Sequence, residues 1–164
     1  MIILVMGVSG SGKTTVGALL AGQLGWPYAE ADSFHPAANI EKMAAGIPLT
    51  DADRAPWLAA IGQWIDAEVA ASRSGVVSCS ALKRAYRDQL RAGRSAVKIV
   101  YLRGSRELIA TRLAARHGHF FRAEMLDSQF AALEEPTPDE GVLIVSIGKS
   151  PKEIVEEILA QLGR

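Results

Sequence analysis

The sequence has 164 residues and a single cysteine, Cys79. That excludes an intrachain disulfide and any cysteine-built metal cluster. It has no excess of charge, since 18 Lys+Arg balance 18 Asp+Glu. Bulk positive charge therefore does not hold it on nucleic acid, although local cationic sites remain open. No apolar run is longer than Met1 to Met6, six residues, far short of the ~20 that cross a bilayer. No charged stretch precedes that run, so a secretory signal is not expected. Repeats, low-complexity tracts and linkers long enough to divide the chain into domains are absent as well. The expectation is one soluble, cytoplasmic domain over residues 1–164, with no nucleic-acid and no membrane partner. At this length folding buries roughly 70% of the chain's surface, so a core needs no staples.

What is present is an alternation of short apolar runs and longer amphipathic stretches. Ile2–Met6 reads as a buried strand, β-branched, continuous and ended by Gly7. Further strands are predicted over Tyr28–Ala31, Val76–Cys79, Val97–Leu102 and Val142–Ser146. Between them, Lys13–Leu24 carries Val16, Leu19, Leu20 and Leu24 on one helical face. Asp51–Ser72 places Trp57, Ile61, Trp64/Ile65 and Val69 at spacings of three and four. Arg84–Leu90 and Glu107–Arg116 follow the same period. Ser150, Pro151 and Glu153 form a capping box opening the last helix. Strands separated by helices, apolar on both faces, predict a three-layer α/β/α fold around a five-stranded parallel sheet. Ligands of such sheets bind beyond the carboxyl ends of the strands.

After the first strand comes Gly7-Val8-Ser9-Gly10-Ser11-Gly12-Lys13-Thr14, a complete G-x-x-x-x-G-K-[ST] between strand and helix. Its glycines let successive N–H groups turn inward on an anion, and the helix adds its positive end. Lys13 reaches the β- and γ-phosphates, and the Thr14 hydroxyl ligates Mg²⁺. The only asparagine, Asn39, is followed by Ile40, so the guanine motif N-K-x-D is missing and ATP is the expected nucleotide. The third strand ends Ser78-Cys79-Ser80 without an acid, which argues against large motor-type ATPases. A compact phosphate-loop kinase of a small molecule remains.

The acceptor side is read from the ends of the other strands. Glu30 and Asp32 are two apart and share a face on an extended chain. One carboxylate would hold Mg²⁺ and the other would accept the proton of a substrate hydroxyl, with Asp32 in the second role. Thr50 and Asp53 look like a cap, and Arg54 either lies on a helix surface or grips an anion. Lys83 and Arg87 stand one helical turn apart at the carboxyl edge, suited to a carboxylate. The stretch from Arg112 through Arg116 to His117-Gly118-His119-Phe120-Phe121-Arg122 suits a lid that expels water before transfer. Arg112 or Arg116 would neutralise charge on the moving phosphoryl group. A metal site on the histidine pair lacks an evident third ligand. The loop Ser146–Pro151 either lies along the adenine ring or only caps the last helix.

Taken together, Met-Gly-Val-Ser-Gly-Ser-Gly-Lys-Thr (6–14), Ala-Asp-Ser-Phe-His-Pro (31–36), Asn-Ile-Glu-Lys-Met (39–43), Asp-Arg-x-Pro-Trp-Leu (53–58), Cys-Ser-Ala-Leu-Lys-Arg-x-Tyr-Arg-Asp (79–88) and Gly-His-Phe-Phe (118–121) resemble the bacterial gluconokinase family. Gln129 and Glu135-Pro136 extend the likeness, which runs from residue 2 into the last helix. The resemblance implies transfer of the ATP γ-phosphoryl group to the 6-hydroxyl of D-gluconate. It also implies a fold like that of shikimate and nucleoside monophosphate kinases, with a helical lid over about residues 112–135, and a homodimer. In its terms Lys13, Asp32 and Arg116 are catalytic. Gly7 to Thr14, Thr15 and Arg112 bind the nucleotide. Asp32, His35, Arg54, Lys83, Arg87, His119 and Gln129 bind the acceptor, and Thr14 and Glu30 face the metal. Glu30 departs from the pattern, which more often has aspartate there. A kinase of another acceptor is the first alternative, although the glycine-triplet substrate loop of shikimate kinases is absent. A nucleotide-binding module without turnover is the second, and it would need neither Asp32 nor the lid arginines.

Overall fold

The structure is a computed structural model and describes residues 1–118 and 122–164. Five parallel strands, β1 (Ile2–Met6), β2 (Tyr28–Glu30), β3 (Gly75–Ser78), β4 (Val97–Arg103) and β5 (Leu143–Ser146), form one sheet in the order β2-β3-β1-β4-β5. In β1 every residue is buried, and Leu4 pairs with Val77 on one side and Ile99 on the other. A strand covered on both faces can be apolar at every position, which is how Ile2–Met6 reads.

The helices are α1 (Lys13–Leu24), α2 (Ala37–Ala44), α3 (Asp51–Ala70), α4 (Arg84–Arg91), α5 (Arg106–His117), α6 (Ala123–Ala132) and α7 (Pro151–Gln161). Ile3 and Val5 meet Val16 and Leu20 of α1, Ile109 of α5 and Ile154, Val155 and Ile158 of α7. Ile2, Leu4 and Met6 point the other way, to Trp57, Leu58, Ile61 and Ile65 of α3 and Leu90 of α4. These two cores are the predicted layers on either side of the sheet. Ser150 accepts from the Glu153 N–H and Glu153 answers at the Ser150 N–H, closing the predicted box at α7.

Two expectations about burial shift. Leu19 of α1 and Val69 of α3 are exposed, and small residues, Gly17 and Gly62, lie inside instead. Close approach explains the choice: a Cβ on Gly17 would stand 2.6 Å from Ser78 Oγ. The second strand also stops one residue early. From Ala31 to Phe34 the chain winds into a 3₁₀ turn, so Glu30 and Asp32 are not brought together by strand alternation.

Candidate active site

The phosphate loop leaves β1 at Gly7 and enters α1 at Lys13. Gly10 and Gly12 have φ of 83° and 93°, the left-handed region that side chains disfavour. A Cβ on Gly10 would also meet Leu113 of α5 at 2.7 Å. Lys13 Nζ donates to the Val8 carbonyl at 3.1 Å, folding back over the loop. Burial lowers the Lys13 pKa, and the nearby carboxylates of Asp32 and Glu30 only partly oppose this. Ser11 Oγ is buried and, among the described residues, is the one such side-chain atom without a hydrogen-bond partner. That hydroxyl packs behind the loop, where a Cβ on Gly7 would come within 2.5 Å of it, so the groups left for a phosphate are the loop N–H groups turned inward at Gly10 and Gly12, the start of α1 and Lys13. The residues present thus fit a nucleotide's phosphate tail.

Beside the loop, Thr14 Oγ1 donates to Glu30 Oε2 at 2.9 Å. Tyr28 donates to the same oxygen at 2.6 Å and lies 2.8 Å from Ser78 Oγ, which donates to the Lys13 carbonyl. β2 pairs with β3 rather than β1, so Glu30 reaches the loop with its side chain. Its extra methylene over aspartate suits that span. A hydroxyl and a carboxylate are hard oxygen donors, a fit for Mg²⁺, which takes one or two protein oxygens and completes its shell with phosphate and water. Among the described residues no three His, Cys, Asp or Glu gather into a metal site.

A cavity of about 490 Å³ opens on one side of the loop, lined by Gly10, Ser11, Gly12, Thr15, Arg112 and Arg116 and closed by Lys149–Pro151. Arg112 Nη2 donates to the Ile147 carbonyl at 2.5 Å. The loop 146–151 therefore both borders this cavity and caps α7, and the two readings of it are compatible. Val8 turns its side chain into the core, so it offers the loop only its backbone.

A second cavity, about 190 Å³, lies beyond the ends of β2 and β3. Asp32, His35, Arg54, Lys83 and Gln129 all line it, together with Trp57 and Tyr86. Arg54 Nη1 donates to the Leu49 carbonyl and to Tyr86 Oη, and its guanidinium lies 5.8 Å from the Tyr86 ring centre. Lys83 pairs with Asp51 at 3.3 Å, and the Tyr86 hydroxyl also donates to Asp51. The tyrosine bond and then the lysine lower the Asp51 pKa, and the pairing raises that of Lys83. Gln129 of α6 links the two halves: its Oε1 accepts from the Ser9 N–H of the loop at 3.2 Å while it lines the second cavity.

Arg87 is not brought to this site. It is fully buried against Glu140, 2.7 Å from Nε to Oε1, and donates as well to the carbonyls of Ala81, Leu82 and Glu134. One turn after Lys83 the helix points inward, so the guanidinium spends its donors tying α4 to the turn before β5. The expected acceptor role for Arg87 is therefore corrected to a structural one. His119 lies outside the described residues. Tyr86 and Asn39 belong to the site's surroundings, and sequence reasoning does not single them out. The i,i+3 spacing of Tyr86 from Lys83 is the available signal for the first.

The comparisons agree with this geometry. A family model described as "AAA domain" matches residues 2–136. A gluconokinase of Gluconobacter oxydans (strain 621H) is 50% identical over 96% of this chain and 88% of its own. The crystal structure of a gluconokinase from Sinorhizobium meliloti 1021 superimposes with a TM-score of 0.88 at 47% identity, covering 99% of this chain and 91% of that one. Shikimate kinase from Aquifex aeolicus, at 21% identity and a TM-score of 0.59 over 99% of this chain and 96% of its own, shares the fold. A likeness this long, which spans both the phosphate loop and the acceptor cavity, decides the family: the chain belongs to the AAA domain family and to the gluconokinases.

Proposed function

We propose that this protein transfers the γ-phosphoryl group of ATP to the 6-hydroxyl of D-gluconate, yielding 6-phospho-D-gluconate and ADP. The observation that carries this reading is the second cavity, where Asp32, Arg54 and Lys83 converge one side chain away from the phosphate loop. An anionic polyol needs two things there, cations for its carboxylate and an acceptor for the proton of its attacking hydroxyl. Arg54 and Lys83 meet the first need. Asp32 meets the second: it takes the 6-hydroxyl proton as that oxygen forms its bond to phosphorus, and the bond from phosphorus to the β-γ bridging oxygen breaks to release ADP. The transition state is loose, so Asp32 serves mainly to aim the hydroxyl in line.

On the nucleotide side, the loop N–H groups and Lys13 hold the β- and γ-phosphates. Thr15 and Arg112 face the rest of the nucleotide, and Arg116 neutralises charge on the moving group. Mg²⁺ would be held by Thr14 with Glu30 behind it, and would offset phosphate charge. Residues 112–135 act as the lid of a single domain, since Arg112 and Arg116 face one cavity and Gln129 the other. Family resemblance supports a cytoplasmic homodimer, which sedimentation and cell fractionation check.

The test is a coupled assay of ADP release with magnesium and ATP, run with and without gluconate, shikimate and nucleoside monophosphates. Gluconate-dependent ADP is expected. A preferred non-sugar acceptor, or none, overturns the reading.

A further inference from the structure

Asn39 takes no part in the transfer as proposed so far, yet it is the buried residue of α2, 3% exposed. Its Nδ2 donates to the Asp53 carbonyl at 2.8 Å. A carbonyl only accepts, so this atom must be the amide nitrogen and not its oxygen. The same Nδ2 lies 3.2 Å from Nδ1 of His35. An amide nitrogen has two hydrogens, one for each partner, so His35 Nδ1 must offer a lone pair. A neutral imidazole with a bare Nδ1 carries its hydrogen on Nε2.

The ring is held as firmly as the tautomer. His35 stacks on Trp57 with centres 4.4 Å apart and planes 11° from parallel. Trp57 is fixed in turn by its indole N–H, which donates to the Ala31 carbonyl at 2.7 Å. Burial lowers the His35 pKa, and Arg54 pushes it the same way against Asp32. A proton added at Nδ1 would in addition face the Asn39 N–H.

We propose that Asn39 is a positioning residue that sets His35 in the Nε2–H form, so that His35 is a fixed neutral donor to a hydroxyl oxygen of the acceptor. The proposal deepens the gluconate reading and rests on it for the identity of the acceptor, but the tautomer itself does not. Beside His35, the Asp32 carboxylate can only accept. A donor that cannot accept and an acceptor that cannot donate form a matched pair for hydroxyl groups, which do both. The acceptor class so recognised is a polyhydroxy acid, with its carboxylate left to Arg54 and Lys83.

Histidine-¹⁵N-labelled protein tests this by long-range ¹H–¹⁵N correlation near neutral pH. His35 in the folded wild type is expected to show the Nε2–H pattern. An Nδ1–H or imidazolium pattern overturns the proposal without any variant. Asn39→Asp places an acceptor opposite Nδ1 and is expected to shift the pattern to Nδ1–H or imidazolium; an unchanged pattern overturns the role of Asn39. In kinetics, Asn39→Asp is expected to raise the KM for gluconate roughly 5–100-fold, the range for losing one buried hydrogen bond, and to leave the KM for ATP near its starting value. His35→Gln, whose amide can reach where Nε2–H stands, is expected to keep more gluconate affinity than His35→Ala. Equal losses in the two overturn the donor role. Should gluconate prove not to be a substrate while Asn39→Asp still switches the tautomer, the acceptor reading fails and the positioning role of Asn39 stands.

Discussion

On the nucleotide side of the site the groups that face a ligand are mostly main chain, the N–H groups of a loop bent at Gly10 and Gly12. On the acceptor side they are side chains, and three of them are held by neighbours: His35 by Asn39 and Trp57, Arg54 by Leu49 and Tyr86, Lys83 by Asp51. Backbone geometry is written locally, so a short motif specifies it. A side chain's direction depends on what packs over it, and those partners come from anywhere in the chain. The first half should accordingly tolerate change around it, and the second should respond to residues that never touch a ligand.

The sharpest way to break that contrast is at Asp32. Asp32→Ala is expected to lower kcat on the order of 10²–10⁴-fold, the range for a positioned proton acceptor, while ATP binding measured by calorimetry persists. A variant with near-normal turnover would reduce Asp32 to a surface residue of the 3₁₀ turn.

Arg87 and Arg54 sharpen it further, as two arginines of the same sheet edge with opposite fates. Arg87→Ala leaves Glu140 as a buried charge without its main partner, which costs about 3–5 kcal/mol of stability, read from urea unfolding. Arg54→Ala is expected to leave the unfolding midpoint much closer to wild type and to raise the KM for gluconate. If Arg87→Ala stays stable and loses gluconate affinity instead, its placement in the core is mistaken.

The same two residues show what is legible in advance. β1 and α1 run over the predicted residues, because a continuous β-branched strand, a glycine turn and a 3.6-residue period leave little choice. The phosphate loop is legible for the same reason. α2 is not, because it has no apolar stripe: Ile40 and Met43 are exposed and only Asn39 is buried. Nor can Lys83 and Arg87 be told apart, since both carry a charge at helical spacing. Glu140, 53 residues further on, decides the matter by folding over Arg87. The sequence expects Glu30 and Asp32 to share one face of an extended chain, and they do not. The 3₁₀ turn, and not strand alternation, sets Asp32, and both carboxylates act on Lys13.

A milder break is Lys83→Ala, which removes one exposed cation from the acceptor cavity. The KM for gluconate should rise on the order of tenfold, as for one charged hydrogen bond, with the KM for ATP unmoved. Because the Lys83 side chain reaches solvent, salt screens its attraction for a carboxylate and should weaken the wild type's own grip on gluconate in the same direction. An equal rise in both KM values would take Lys83 out of the acceptor side.

The smallest effect concerns how the acceptor half is held at low pH. Asp53 caps α3 through Thr50 and pairs with Lys42 of α2 at 2.9 Å. The Lys42 bond is the chief reason its pKa falls from 3.8 to about 2. A carboxyl with a depressed folded pKa adds stability above its unfolded value, and that contribution is lost as pH falls toward the folded one. The tie between α2 and α3 should therefore weaken between about pH 4 and pH 2, and α2 carries the Asn39 that aims His35. Asp53→Asn has no charge to lose, so its thermal midpoint should fall less steeply than wild type over that interval. Asp139, also depressed to about 2 by Arg84, contributes equally to both proteins and cancels in the difference. Parallel acid slopes in the two would mean that the Lys42–Asp53 pair adds nothing to the fold.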